Sequence, residues 1–181
     1  LNLASMTNSV AQVERVASAV LSMEKARERE ARVSSVTYEF AVRLDGESPE
    51  YTGGVQVSFD LSGVRGEVDL TLDFAGGTVV SVVVNEAGVD RSYNGYYLTL
   101  PAESLTEGSN EVEIQFSRPY SSDGSGLYRF VDPEDNRVYL FSDFEPYHQN
   151  RLFPSFDQPD LKARYSARVT APSDWVVVSV T

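Results

Sequence analysis

The chain has 181 residues, enough for one domain that buries a sizeable core. Its 15 basic and 27 acidic residues give a net charge of −12, which opposes DNA or RNA binding because nucleic-acid affinity depends on neutralising phosphates. It contains no cysteine, which excludes disulfides, iron–sulfur clusters and thiolate zinc sites, and no apolar run approaches the ~20 residues that span a bilayer.

The first thirty residues carry a helical pattern. Six apolar residues recur there at helical spacing and precede the helix-forming stretch MEKARERE: Val10, Val13, Val16, Ala17, Val20 and Leu21. Two interpretations stay open. Either one or two helices cover residues 8–31, or a helix begins after Ser22 as its N-cap and residues 1–21 form a leader, with the β domain spanning residues 22–181.

From residue 36 onward, apolar and polar residues alternate, which predicts strands with one face in a core. The alternating runs cover residues 36–44, 55–61, 68–74, 112–116, 165–169 and 175–180. The run TVVSVVVN at 78–85 is apolar on both faces and predicts a central strand. Turn-forming sequences separate the runs without helical patterns between them. The chain is therefore predicted to be mainly β, an antiparallel β-sandwich or saddle with a short helical N-terminal segment.

The usual catalytic signatures are absent from the sequence. His148 is the only histidine, so an HExxH zinc helix or a two-histidine metal site cannot form, and we interpret it as a loop histidine. No GxSxG elbow, GxxxxGK[ST] loop or GxGxxG fingerprint occurs. The sequence DPEDN at 132–136 lacks the ligand spacing of a calcium loop, and a hairpin turn is favoured. The isolated chain is not expected to be a catalyst.

One segment, FEPYHQNRLFPSFDQPDLKA at 144–163, follows no strand or helix period. Its aromatic residues, prolines and opposed charges suit a rigid connection that presents a few polar groups at a cleft. Arg151 and Lys162 can pair with Asp157 and Asp160, and a local Arg151–Asp157 ion pair is favoured. A packing or structural role is expected for Arg151, Phe153, Pro154, Phe156, Asp157, Pro159 and Lys162.

Residues 139–179 resemble the aminopeptidase N family of zinc aminopeptidases. They are similar to that family's pattern Y-x-x-T-Q-F-E-P-x-x-A-R-R-x-F-P-C-F-D-E-P-x-x-K-A, which a strand ending in P-x-x-W follows. Weaker similarities lie upstream, in YTGGVQVSFDL at 51–61, in GLYRF at 126–130 and in KARERE with the strand after it. The resemblance covers about residues 21–181, and the long FPxFDxPxxKA string makes chance a poor explanation.

The resemblance implies the N-terminal, saddle-like β domain of a larger enzyme that removes single residues from peptide amino termini. In that family the zinc helix and the G-x-M-E-N substrate motif lie in the next domain, so the resemblance places zinc in the parent protein and its ligands outside this chain. The implied partners are peptide substrates, met through the parent enzyme, and the catalytic domain. By the same implication, the isolated chain neither binds zinc tightly nor hydrolyses peptides.

The resemblance also implies two substrate-binding residues. The family's T-Q-F-E motif lines the pocket for the substrate's first residue, and its glutamate, Glu145 here, helps hold the α-ammonium. Asp143 stands at the glutamine position, which predicts either a preference for a basic first residue or a carboxylate pKa raised by like-charge repulsion. Equally weighted is the alternative that Asp143 turns away and caps a loop. Asn150 replaces the first of two arginines, Arg151 retains the second, and Ser155 stands at the usual cysteine.

Two other functions compete with this interpretation. A non-enzymatic relative would keep the same fold as a protein-interaction scaffold, and a downstream HExxH motif would distinguish the enzyme from it. A free-standing sugar-binding or adhesion sandwich would need an exposed aromatic platform on a sheet. Because the chain starts at Leu1 and its last predicted strand runs to Thr181, we expect a piece of a longer, soluble polypeptide. Both a cytoplasmic and an exported location remain open.

Overall fold

The computed structural model describes residues 18–63 and 68–179. Within these ranges the chain forms one α-helix, eleven strands and two short 3-10 helices. In chain order they are α1 (Met23–Glu30), β1 (Val33–Arg43), β2 (Glu50–Leu61), β3 (Leu70–Asp73), β4 (Thr78–Val84), β5 (Ala87–Gly88), β6 (Ser92–Tyr93), β7 (Tyr97–Leu100), η1 (Ala102–Ser104), β8 (Gly108–Pro119), β9 (Gly126–Val131), β10 (Val138–Asp143), η2 (Gln149–Arg151) and β11 (Arg164–Thr170). No helix in the described part is long and apolar enough to cross a membrane.

The strands form three sheets. Six strands follow the order β11-β1-β2-β8-β4-β5, three follow β3-β7-β6, and β9 and β10 form a hairpin. Every pair is antiparallel except β1 with β11, where Tyr38 lies beside Tyr165. The predicted mainly β, antiparallel-rich fold is therefore confirmed, and the single parallel pair is an addition that strand alternation did not indicate.

The core lies on one face of the six-stranded sheet and is shared with the three-stranded sheet. The alternation predicted for two of its central strands is confirmed, because the core-facing side chains of β2 and β8 are almost fully buried: Val55, Val57, Phe59, Leu61, Val112, Ile114 and Phe116. Each buried aliphatic or aromatic side chain of this size contributes about 1.5–3 kcal/mol of transfer free energy.

The apolar run at 78–85 is not a central strand, so that prediction was wrong. β4 lies second from the edge of the sheet, and only the two-residue strand β5 lies beyond it. The register with β8 shifts between Val79 and Ser81, which leaves the Val80 side chain 54% exposed while Val82 and Val84 are buried. The second face of β4, although apolar, is therefore partly exposed to solvent.

The C-terminal strand predictions were partly wrong. β11 forms, but all of its residues are exposed because it is the edge strand and its core-side residues Tyr165 and Val169 are not covered. Residues 175–179 form no strand, and the Val176 and Val178 side chains are 88% exposed. Apolar alternation forms a strand only beside a partner edge, and no described strand pairs with this segment. Residue 180 lies outside the described residues.

The helix confirms the interpretation that begins it after Ser22. The Ser22 side chain accepts a hydrogen bond from the Lys25 backbone N–H at 3.2 Å, as an N-cap does. Lys25 and Arg32 both form ion pairs with Glu28, at 2.6 and 3.0 Å. The helix therefore packs through buried charges rather than an apolar stripe. The apolar positions before residue 18 lie outside the described residues.

Candidate functional site

The FPSFDQP sequence at 153–159 packs on a buried ion pair. Arg29 of α1 donates to both carboxylate oxygens of Asp73 at the end of β3, at 2.8 and 3.2 Å, and both side chains are 1% exposed. The same guanidinium lies 5.5 Å from the centre of the Phe156 ring, and the Asp157 backbone N–H donates to Asp73 at 3.1 Å. One buried carboxylate thus joins the helix, the three-stranded sheet and this segment.

Asp157 pairs with Asn150 and not with Arg151, so the favoured Arg151–Asp157 ion pair was wrong. The Asp157 carboxylate accepts hydrogen bonds from the Asn150 backbone N–H at 2.9 Å and from its side-chain amide at 2.7 Å. Arg151 points the other way and pairs with Asp123 at 2.9 Å. Asn150, at the place of the family's first arginine, therefore satisfies a buried acid without adding a charge.

Phe153 and Phe156 are core residues, as predicted. Phe153 stacks on Phe40 with ring centres 4.5 Å apart, and Phe156 packs edge-on against Phe59 at 5.2 Å. The Tyr38 hydroxyl accepts the Phe156 backbone N–H at 2.9 Å, which ties the segment to β1.

The rest of the predicted structural set divides between the core and the surface. Pro154 is buried, whereas Pro159 is exposed, so the packing role predicted for Pro159 was wrong. Lys162 is exposed, and the ion pairs among the described residues include neither Lys162 nor Asp160. The buried part of the segment therefore ends at Gln158, whose side-chain amide donates to the Ala26 carbonyl of α1 at 2.8 Å.

Two further contacts fix the segment from below. The Ser155 backbone exchanges hydrogen bonds with Asp73 at 2.7 and 3.0 Å, which extends β3 by an isolated bridge. The buried Tyr51 hydroxyl of β2 donates toward the carbonyls of Leu152 and Arg151, at 2.8 and 3.1 Å. Burial raises the pKa of Tyr51, so it remains a neutral donor. The segment is thus anchored on β1, β2, β3 and α1.

The buried carboxyl of Asp157 gives a testable pH dependence. Burial, the largest cause, raises its pKa above the ordinary 3.8, while the hydrogen bonds from Asn150 act in the opposite direction. A raised pKa means that the folded state binds the proton more tightly, so the contribution of Asp157 to stability falls as pH rises through that pKa. In Asp157→Asn we therefore expect the free energy of unfolding to fall less than in the wild type as pH rises above 3.8. Urea unfolding at a series of pH values checks this, and a constant difference between the two proteins would contradict it.

The proposed substrate-binding residues lie where β10 ends. Asp143 is the last residue of β10, and Glu145 follows in an exposed turn whose bond to Pro146 is cis. The Asp143 carboxylate accepts the Glu145 backbone N–H at 3.2 Å, which is the loop-capping geometry of the alternative interpretation. His148 lies in the same loop, half-buried, and its backbone N–H donates to the Phe144 carbonyl at 2.9 Å.

The β9–β10 hairpin presents a row of aromatic side chains beside this turn. Tyr128 lies opposite Phe141, with ring centres 4.5 Å apart, and Phe130 lies opposite Tyr139. Because alternate residues share a face, these four residues, here called the aromatic face, share it with Asp143. Phe130, Tyr139 and Phe141 are 41–50% exposed. Periodicity alone did not predict β10, and its exposed aromatic residues explain why it lacks a core pattern.

No metal site is formed by the described residues. Among residues 18–63 and 68–179, no three His, Asp or Glu side chains lie close enough together to hold an ion. The turn interpretation of 132–136 is confirmed, since Asp132 accepts the Glu134 N–H at 2.8 Å and Asp135 accepts the Arg137 N–H at 2.9 Å. The part of the chain that the structure describes therefore offers no zinc site.

Comparison with known proteins identifies related chains. A model of the peptidase M1 N-terminal domain family matches residues 34–181. Aminopeptidase N of Streptomyces lividans is 35% identical over 163 residues, which cover 88% of this chain and 19% of that protein. Glutamyl aminopeptidase of Homo sapiens is 27% identical over 161 residues, which cover 81% of this chain and 17% of that protein. The chain therefore spans only about a fifth of these relatives.

Solved structures show the same fold. Native LTA4 hydrolase from yeast superposes with a TM-score of 0.65 at 20% identity, covering 79% of this chain and 23% of that chain. An M1 zinc metallopeptidase from Deinococcus radiodurans superposes with a TM-score of 0.58 at 18% identity, covering 78% of this chain and 33% of that chain. In each case the likeness involves a minor part of a longer chain.

Proposed function

The chain belongs to the peptidase M1 N-terminal domain family, and on that premise we propose that it forms one wall of the substrate pocket in a zinc aminopeptidase. In this proposal Glu145 binds the free α-ammonium of a peptide, and the domain packs on the catalytic domain of the same polypeptide. The zinc ion and its ligands belong to the catalytic domain, so no zinc-dependent step is assigned to the residues described above.

The placement of Glu145 carries the proposal. Its backbone N–H is fixed by Asp143, and the segment that follows is anchored in the core through Asn150 and Phe153. The Glu145 side chain is exposed, and none of the ion pairs among the described residues includes it. A carboxylate on a fixed backbone, open to an incoming cation, is a suitable charge-assisted acceptor for an ammonium group.

The aromatic face supports contact with a following domain. Tyr and Phe are enriched in interface cores, and this face continues directly to Asp143 and Glu145. Exposed aromatic residues on a sheet are also what a sugar-binding sandwich would need. We favour the domain contact because the relatives carry this domain in chains about five times longer, and because burial of the face would bring Glu145 to the domain boundary, where clefts commonly form.

The activity of the isolated chain tests whether catalysis and zinc binding require the second domain. We expect the 181-residue chain to show no hydrolysis of aminoacyl-arylamides and no tight zinc binding, because its described residues offer neither a metal-ligand cluster nor a catalytic histidine pair. The full-length protein is expected to hydrolyse the same substrates and to contain about one zinc per chain, measured by metal analysis.

Two outcomes contradict this proposal. Hydrolysis by the pure, metal-loaded isolated chain would show that it needs no second domain. A full-length protein that lacks both zinc and activity would favour the non-catalytic scaffold, in which the aromatic face serves protein interaction alone.

A further inference from the structure

Glu145 lies in the segment 143–151, and both ends of this segment are held by one loop that precedes it in the sequence. This loop, Ser121–Gly126, joins β8 to β9 and contacts both ends of the segment 143–151. At one end it reaches Asp143, two residues before Glu145. At the other end it reaches Arg151, the last residue of η2.

Arg151 forms the first contact through its guanidinium. It donates to the Asp123 carboxylate at 2.9 Å and also to the Ser125 hydroxyl. Asp123 in turn accepts the Ser125 backbone N–H at 3.2 Å and its hydroxyl at 2.9 Å. The guanidinium of Arg151 holds the pKa of Asp123 at about 2, so the pair is fully charged at neutral pH.

Gly126 forms the second contact and lies close to both Asp143 and Arg151. It lies opposite Asp143 in the β9–β10 ladder, and its backbone has φ +71. A Cβ at this position would lie 2.8 Å from the Arg151 Cβ and 3.3 Å from the Arg151 carbonyl oxygen. Only glycine allows this approach, so one residue touches both the start and the end of the segment that contains Glu145.

The loop itself is held in a compact turn by hydrogen bonds of Ser121. Ser121 exchanges backbone hydrogen bonds with Leu127 and Arg129, at 2.9 and 3.0 Å, and its hydroxyl bonds to the carbonyls of Ser125 and Leu127. Asp123 and Ser125 are therefore held on a compact, hydrogen-bonded turn.

We propose that Arg151 and Asp123 are positioning residues for Glu145. Their ion pair holds the segment 143–151 in one conformation and thereby fixes where the Glu145 carboxylate meets a substrate's α-ammonium. Neither residue needs to touch the substrate. The inference rests on the proposed function of Glu145 and adds a specific means of preorganisation, which limits the mobility of an exposed turn before substrate arrives.

A pair of inhibitors isolates recognition of the α-ammonium in the full-length enzyme. Leucine hydroxamate and 4-methylpentanoyl hydroxamate differ only in the α-amino group. The inhibition constant of 4-methylpentanoyl hydroxamate divided by that of leucine hydroxamate therefore reports how well the amino group is bound. We expect Asp123→Asn and Arg151→Met each to lower this ratio about two- to fivefold, the range of a partly exposed ion pair. The charge swap Asp123→Arg with Arg151→Asp should recover part of the loss.

A matched control and Glu145→Ala separate the possible results. Asp135 and Arg137 form an exposed ion pair at the tip of the same hairpin, 3.4 Å apart, so Asp135→Asn should leave the ratio unchanged. If Glu145→Ala collapses the ratio while Asp123→Asn and Arg151→Met leave it at the wild-type value, the positioning role is wrong and the proposed function stands. If Glu145→Ala also leaves it unchanged, the proposed function fails and this inference fails with it.

Discussion

If the proposed function is correct, replacing Glu145 by alanine in the full-length protein is expected to lower kcat/KM for aminoacyl-arylamides by about two to three orders of magnitude. Removing one partner of a desolvated, hydrogen-bonded charge pair costs about 2–5 kcal/mol, and each 1.4 kcal/mol corresponds to a factor of about ten. The substrate's α-ammonium would enter the pocket without its carboxylate. Initial rates over a range of substrate concentrations measure the effect.

Asp143→Gln is the matched control, since it restores the residue of the family pattern two positions away. The Asp143 carboxylate caps its own loop by accepting the Glu145 N–H at 3.2 Å, so we expect its replacement to change kcat/KM for a leucyl substrate less than tenfold. A change in the preference for lysyl over leucyl substrates would instead support direct contact of Asp143 with the first side chain. If Glu145→Ala left kcat/KM unchanged, the ammonium-binding role would have to be abandoned.

The strands of the sheet interior could be predicted from sequence because each has a buried and a solvated face. β2 and β8 have neighbours on both edges and show the expected alternation of burial. β11 shows the same alternation in sequence and β4 is apolar on both faces, yet the burial of both strands depends on what lies beyond them in the sheet. Local periodicity reports which residues can form a strand but not which strand has a neighbour.

The site was predicted less completely because its contacts are long-range. The resemblance pointed to Glu145 and Asp143, but the partner of Arg151 lies 28 positions upstream and that of Arg29 lies 44 positions downstream. Asp123 lies in a stretch rich in Ser and Gly, and no local pattern links it to Arg151. The predicted partner, Asp157, lies closer to Arg151 in sequence than Asp123 does, but the backbone N–H and side-chain amide of Asn150 already bind its carboxylate.

Asp73→Ala is expected to lower the free energy of unfolding of this chain by about 3–5 kcal/mol. The substitution leaves the Arg29 guanidinium, 1% exposed, without its carboxylate, and an uncompensated buried charge carries this cost. It also removes the acceptor for the Asp157 backbone N–H and so loosens the segment on which the Glu145 turn rests. Urea denaturation followed by circular dichroism measures the loss.

Two further variants show whether the unpaired buried charge causes that loss of stability. Asp135→Ala breaks an exposed ion pair and should change stability by less than about 1 kcal/mol. Arg29→Met combined with Asp73→Asn removes both buried charges but keeps a side-chain acceptor for Asp157, so the double variant should be more stable than Asp73→Ala although it carries two changes. If the double variant were instead the less stable, the ion pair itself would be stabilising the fold. The cluster beneath the Glu145 turn would then depend on the attraction between Arg29 and Asp73, and not mainly on avoiding a lone buried charge.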